Sequence, residues 1–160
     1  MRRIFPVLVL GAAALLGAGA LAQDAARPPV GPPISLEQAK KAIAAAEAEA
    51  VKNHWNSAIA IVEPNGALVY FVKMNGTQYG AINAALDKAT SAALFRRSTN
   101  AVNDALKAGA TYLLQLRGTN SVPGGFPLVI DGKLVGAIGT SGGTGDQDSQ
   151  VSMAAVNAIK

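Results

Sequence analysis

The chain has 160 residues, half of them apolar and 15% charged, with 14 basic and 10 acidic side chains for a net charge of +4. That is the length of one domain and too apolar for intrinsic disorder. There is no cysteine and one histidine, His54, which excludes a disulfide framework, a covalently attached c-type haem, an iron–sulfur cluster, a cysteine nucleophile and a Cys/His zinc site.

Residues 1–22 read as a leader. Arg2 and Arg3 form a positive start, Ile4 to Gly19 is an apolar stretch, and Ala20-Leu21-Ala22 is an A-x-A cleavage pattern followed by Gln23 and Asp24. The expectation is a signal peptide cleaved after Ala22 and an exported, periplasmic or extracellular protein with no stable membrane anchor; an uncleaved anchor is the rival reading. Without the leader 12 basic residues face 10 acidic ones, a net +2. That charge, with no Lys/Arg stripe, argues against a nucleic-acid partner.

Residues 23–33 hold four prolines and predict an extended, poorly ordered arm. The domain proper is expected over 34–160. Ser35-Leu36-Glu37-Gln38 fits a capping box, and Leu36, Ala39, Ile43, Ala46 and Ala50 continue as one apolar stripe of a helix to about Lys52. Ser57 to Glu63 and Leu68 to Val72 flank the turn Pro64-Asn65-Gly66 and predict an antiparallel hairpin. Neither strand has a clean polar face, so both faces of the sheet should be covered by helices or by another subunit.

A second helix is predicted from about Tyr79 to Arg96, with Ile82, Leu86, Ala89 and Ala93 as its core stripe. A short helix follows over Thr99 to Lys107; Tyr112 to Leu116 is ambiguous between strand and helical turn, and Gly118 to Pro127 reads as a loop. Leu128 to Ile130 and Lys133 to Thr140 flank Asp131-Gly132, a two-residue hairpin signal. Thr144-Gly145-Asp146-Gln147 is a second capping box opening a last helix through Ile159. The order is α-β-β-α-α-β-β-α, an α+β domain of antiparallel sheet and packed helices.

Few residues offer chemistry. His54 closes the first helix beside Trp55, where it is either an axial haem ligand or general base, or a residue that favours the helix C-terminus and packs on Trp55. Lys88, Ser91 and Phe95 form a second stripe on the second helix, followed by Arg96 and Arg97. The stripe could line a pocket for a carboxylate-bearing ligand, or be a partly solvated face. The run Gly139 to Gly145 leads from strand to helix but matches no phosphate-loop pattern, and Asp146 and Asp148 in the first turn would repel an anion. Met74, Met153, Tyr70, Tyr79 and Tyr112 are the other conceivable haem ligands, with core packing the default for Tyr70 and Met153. No metal constellation is readable.

Three segments together resemble the GlcG/HbpS-like, or haem-degrading-domain, family: SAIAIVEPNGALVYFVKMNG after the first helix, DKATSAALFRRST, and PGGFPLVIDGKLVGAIGTSGGTGDQD. The similarity runs from about Ile34 to Lys160. It departs at Glu63-Pro64-Asn65-Gly66, where the family often has Asp-x-Gly-Gly, and at Lys73-Met74-Asn75-Gly76, where it usually has Arg-Met-Asp-Gly. The resemblance implies a profilin-like, five-stranded antiparallel sheet flanked by helices, and self-assembly into homo-oligomers of tetramer to octamer size. It implies a small anionic ligand or haem, with Lys88, Phe95, Arg96, Gly124, Gly125 and Asp148 as candidate pocket or assembly residues, none established as catalytic. The family's roles leave three readings open: a small-molecule or haem-binding protein, an auxiliary enzyme of haem breakdown or small hydroxy-acid catabolism, and an accessory partner of a sensor protein.

Overall fold

The computed structural model describes residues 27–160, so the leader lies outside the described residues. The chain runs α1 (Leu36–Lys52), β1 (Ala58–Val62), β2 (Leu68–Lys73), α2 (Gly80–Phe95), α3 (Thr99–Lys107), a 3-10 turn (Thr111–Gln115), β3 (Gly125–Ile130), β4 (Lys133–Ser141) and α4 (Gly145–Ala158). Both capping boxes form: the Ser35 and Thr144 hydroxyls accept from the Gln38 and Gln147 amides, and each glutamine accepts from its cap residue's N–H. At the β3–β4 turn Asp131 and Gly132 both have positive φ (50° and 73°), the backbone a two-residue hairpin demands.

The four strands pair antiparallel in the order β2-β1-β4-β3. Among the described residues the sheet therefore has four strands, where five are expected. Val30 makes only a single parallel bridge to Leu134, at the end of β4 beyond its pairing with β1. Prolines 28, 29, 32 and 33 lack the N–H groups that would extend the bridge into a ladder. The segment is nevertheless tied down. Leu134 donates to Pro29 O (2.8 Å), Gly31 to Leu134 O (2.8 Å) and Ile34 to Val135 O (2.7 Å). A loose arm is therefore not what residues 29–34 form.

The sheet divides two cores. Ile59, Ile61, Leu128, Val135 and Ile138 meet α1 and α4 on one face. Ala58, Ala60, Val62 and Ala137 meet α2 on the other. β1 is buried along its whole length, as its two-sided apolar sequence demands, whereas β2 at the edge is half-buried. Each large aliphatic side chain of the first core contributes about 1.5–3 kcal/mol by leaving water.

The α2 face differs from its sequence reading. Its buried residues are Ala81, Ala85, Lys88, Ala89, Ser91, Ala92 and Ala93, while Ile82 and Leu86 are only half-buried. The reason is closeness. A Cβ placed on Gly139 of β4 would run into Ala85 O and lie 2.5 Å from Ala89 N. A helix that near to the sheet can present only small side chains, and the bulky ones move to its flanks.

Candidate functional site

The depth of α2 brings Lys88 inside. Its side chain is 1% exposed, and Nζ donates to Asp148 Oδ2 of α4 (2.7 Å) and to Thr140 O of β4 (2.9 Å). The other carboxylate oxygen of Asp148 accepts from Gly143 N (3.0 Å). Above the pair lie the two adjacent glycines. Gly124, with φ 119°, leaves no room for a side chain: a Cβ there would be 2.8 Å from Asp148 Cβ and 3.2 Å from Lys88 Nζ. Gly125 is equally crowded, by Lys88 O and by Thr99 Cγ2 at 2.7 Å. Their amides are held by Asn100 Oδ1 (3.2 Å) and Thr99 Oγ1 (2.9 Å), and Ser152 Oγ donates to Gly124 O (2.8 Å).

Lys88, Gly124, Gly125 and Asp148 thus form one cluster. The cluster is closed, however. The ammonium is fully buried and its charge is answered within the chain, so Lys88 is not presented to an anionic ligand. Asp148 stands in the first turn of α4 as predicted, and is buried and paired with Lys88. Thr99, Asn100, Thr140 and Ser152, which hydrogen-bond the cluster together, carry no signal in the sequence. The one available signal was Lys88 itself, a cation among alanines at 85, 89 and 92 that share its helix face.

Phe95 and Arg96 lie apart from His54. Arg96 ends α2 in the left-handed region (φ 52°), half-buried, and donates to Pro28 O (3.3 Å). His54 lies near the opposite end of α2, whose length of 16 residues spans about 24 Å. A single small ligand cannot engage both.

His54 follows α1, exposed, with φ 59°. It lines an open cleft of about 270 Å³. His54, Trp55 and Asn56 form one wall, Gly76, Thr77 and Gln78 before α2 a second, and Gly142, Gly143 and Gln147 at the β4–α4 turn a third. The lining is rich in amides and hydroxyls. The Thr77 side chain is buried, and its Oγ1 has no hydrogen-bond partner among the described residues. Asn56, Thr77 and Gln147 were not foreseen, because three distant loops meet here.

Of the other conceivable haem ligands, Tyr70 and Met74 pack against the larger core. Tyr79 and Tyr112 are exposed. Among the described residues no group of three or more His, Asp or Glu could hold a bare metal ion. No helix of the described residues is long and apolar enough to cross a membrane. As an iron donor His54 fits a haem: it is the chain's one imidazole, accessible, beside the half-buried indole of Trp55. The cleft is smaller than the roughly 300–1,000 Å³ of drug-sized ligand sites, so one chain alone does not enclose a porphyrin ring.

Known proteins resemble the chain in sequence and in fold. The chain is 38% identical over 108 residues to Protein GlcG of Escherichia coli K12, covering 68% of this chain and 81% of that protein. A double mutant of Streptomyces reticuli HbpS superposes with a TM-score of 0.75 at 28% identity, covering 99% of each chain. A PduOC:heme complex shares the fold at a TM-score of 0.73 and 23% identity, covering 80% of this chain and 96% of that one. The model of the family described as "Haem degrading protein HbpS-like" matches residues 34–157, and the chain belongs to that family.

Proposed function

We propose that the chain is an exported, self-associating haem-binding protein that uses His54 as its iron ligand. The observation that carries this reading is the placement of the chain's single imidazole, exposed at the mouth of a three-walled cleft on a backbone that L-residues seldom adopt. The family description supports the ligand class, and the PduOC:heme complex has a similar fold. Bound haem iron would supply the redox chemistry that the side chains themselves lack, and His54 the donor to it.

The cleft leaves most of a porphyrin uncovered, and a second copy of the chain is the natural cover. Leu94, Tyr112, Leu114, Leu116 and Val122 are exposed and supply apolar surface for association; because Leu94 lies at the far end of α2 from His54, this surface would cover the cleft of a neighbouring copy and not its own. The leader pattern at residues 1–22 supports export. The closed Lys88–Asp148 pair leaves the propionates to solvent or to a partner copy.

Titration of the purified protein with haemin tests the reading. The expected result is a shifted Soret band for the wild type, and affinity reduced at least tenfold in His54→Ala. No Soret change in the wild type, or unchanged binding by His54→Ala, would overturn it. Native mass measurement of the same sample is expected to show an oligomer.

A further inference from the structure

We infer that Lys88 and Asp148 are positioning residues: the buried pair fixes the β4–α4 turn that forms one wall of the His54 cleft. The inference rests on the reading of that cleft as the ligand site. The pair grips both ends of one turn. Lys88 Nζ holds Thr140 O, where β4 is about to end (2.9 Å), and Asp148 Oδ2, in the first turn of α4 (2.7 Å). Between these points the free carboxylate oxygen takes the Gly143 amide (3.0 Å). The ammonium therefore fixes the strand end and the helix start directly, and the intervening peptide through the carboxylate.

The far side of the turn transmits that placement. Gly142 abuts Asn56: a Cβ on Gly142 would run into Asn56 O and lie 3.1 Å from Ser57 Cα. Its φ is +146°. Asn56 is two residues from His54. Any displacement of the turn toward that segment meets backbone at once, so the Gly143 anchor and the His54 backbone are set in one register.

The choice of groups supports a positioning role. A buried ion pair adds little stability over apolar side chains of the same size, but it enforces one arrangement of its partners. An aliphatic pair could fill this space. The Asp148 carboxylate accepts from Lys88 and Gly143 through separate oxygens, which an aliphatic side chain cannot do.

The test is the variant Lys88→Met/Asp148→Leu, which removes the Gly143 anchor without leaving an unpaired buried charge. His54 and Trp55 are the only histidine and tryptophan, so the His54 Cε1–H and the Trp55 Nε1–H each give one cross-peak assignable by residue type in two-dimensional NMR spectra without any ligand. Both cross-peaks are expected to shift or broaden while the protein remains cooperatively folded, and haemin affinity to fall about 10- to 100-fold. Ring cross-peaks superimposing on those of the wild type would overturn the inference. If the double variant does not fold, Lys88→Met/Asp148→Asn takes its place, which also leaves no unpaired charge and removes the grip on Thr140 O, with displaced ring cross-peaks expected and unchanged ones overturning. Failure of the wild type to bind haemin would sink the haem reading alone, because the ligand-free cross-peaks still decide the positioning role.

Discussion

Lys88 and Asp148, separated by 60 positions in the chain, meet at 2.7 Å with both side chains out of water. Either charge left alone would be a buried, uncompensated ion. Lys88→Ala is therefore expected to lower stability by about 3–5 kcal/mol, whereas Lys88→Met/Asp148→Leu should stay within about 1–2 kcal/mol of wild type. Urea denaturation midpoints at constant slope measure both. A double variant as unstable as the single one would show that the pair's directionality, not its charge balance, holds the fold.

His54 departs from the conformations L-residues prefer, and glycine would adopt φ 59° freely. His54→Gly should raise stability by roughly 0.5–1 kcal/mol while abolishing the haemin-induced Soret shift. Stability and ligand binding would then move in opposite directions at one position. A loss of stability in this variant would mean that the imidazole makes a structural contribution larger than the backbone strain.

Two glycines at opposite ends of the packing scale give a matched comparison. Gly139→Ala puts a methyl group into the backbone of α2 at Ala85 and Ala89, and should cost about 3 kcal/mol or more. Gly80→Ala, in the first turn of α2 with nothing within 4 Å of the new carbon, should stabilise by about 0.4–1 kcal/mol. Thermal melts of the two variants check both signs.

Glu49 carries the pH dependence that the structure does resolve. Its carboxylate accepts from Gln150 Nε2 of α4 (2.6 Å) and from Asn53 Nδ2 (2.9 Å), and those bonds hold its pKa below the ordinary value, with Lys52 adding a weaker pull. A group whose pKa is lower folded than unfolded stabilises above its unfolded pKa, and that contribution is lost as pH falls through the folded one. Glu49→Gln should be less stable than wild type at pH 7, with the gap closing below about pH 4. Equal stability at pH 7 would show that the α1–α4 contact is made at no net gain.

Where local chemistry decided the backbone, the sequence was readable. Ser35/Gln38, Thr144/Gln147 and Asp131-Gly132 each name their own cap or turn, and all three form. β3 begins at Gly125 and not at Leu128, because Thr99 Oγ1 accepts from the Gly125 amide and holds the loop-like Gly125 and Pro127 in the strand, a contact that local composition does not encode. The core stripe of α2 misled for a related reason. Hydrophobic size marks the buried face only when the partner surface leaves room, and Gly139 leaves none. The site was half-legible: Lys88, Gly124, Gly125 and Asp148 do converge, but whether a cation faces a ligand or a carboxylate depends on an α2–α4 approach that spacing along the chain does not encode.

The arm at residues 29–34 also determines how the sheet could grow. Val30 takes up hydrogen-bonding positions on β4 that β1 leaves vacant, which closes that notch to any incoming strand. At one outer edge β3 carries Pro127, which has no amide to offer. At the other, the run Leu68–Lys73 of β2 contains no proline. Strand-by-strand extension of this sheet is therefore one-sided: β2 is the edge able to template a further strand, and a charge or proline introduced there would be a steric and electrostatic stop to polymeric growth.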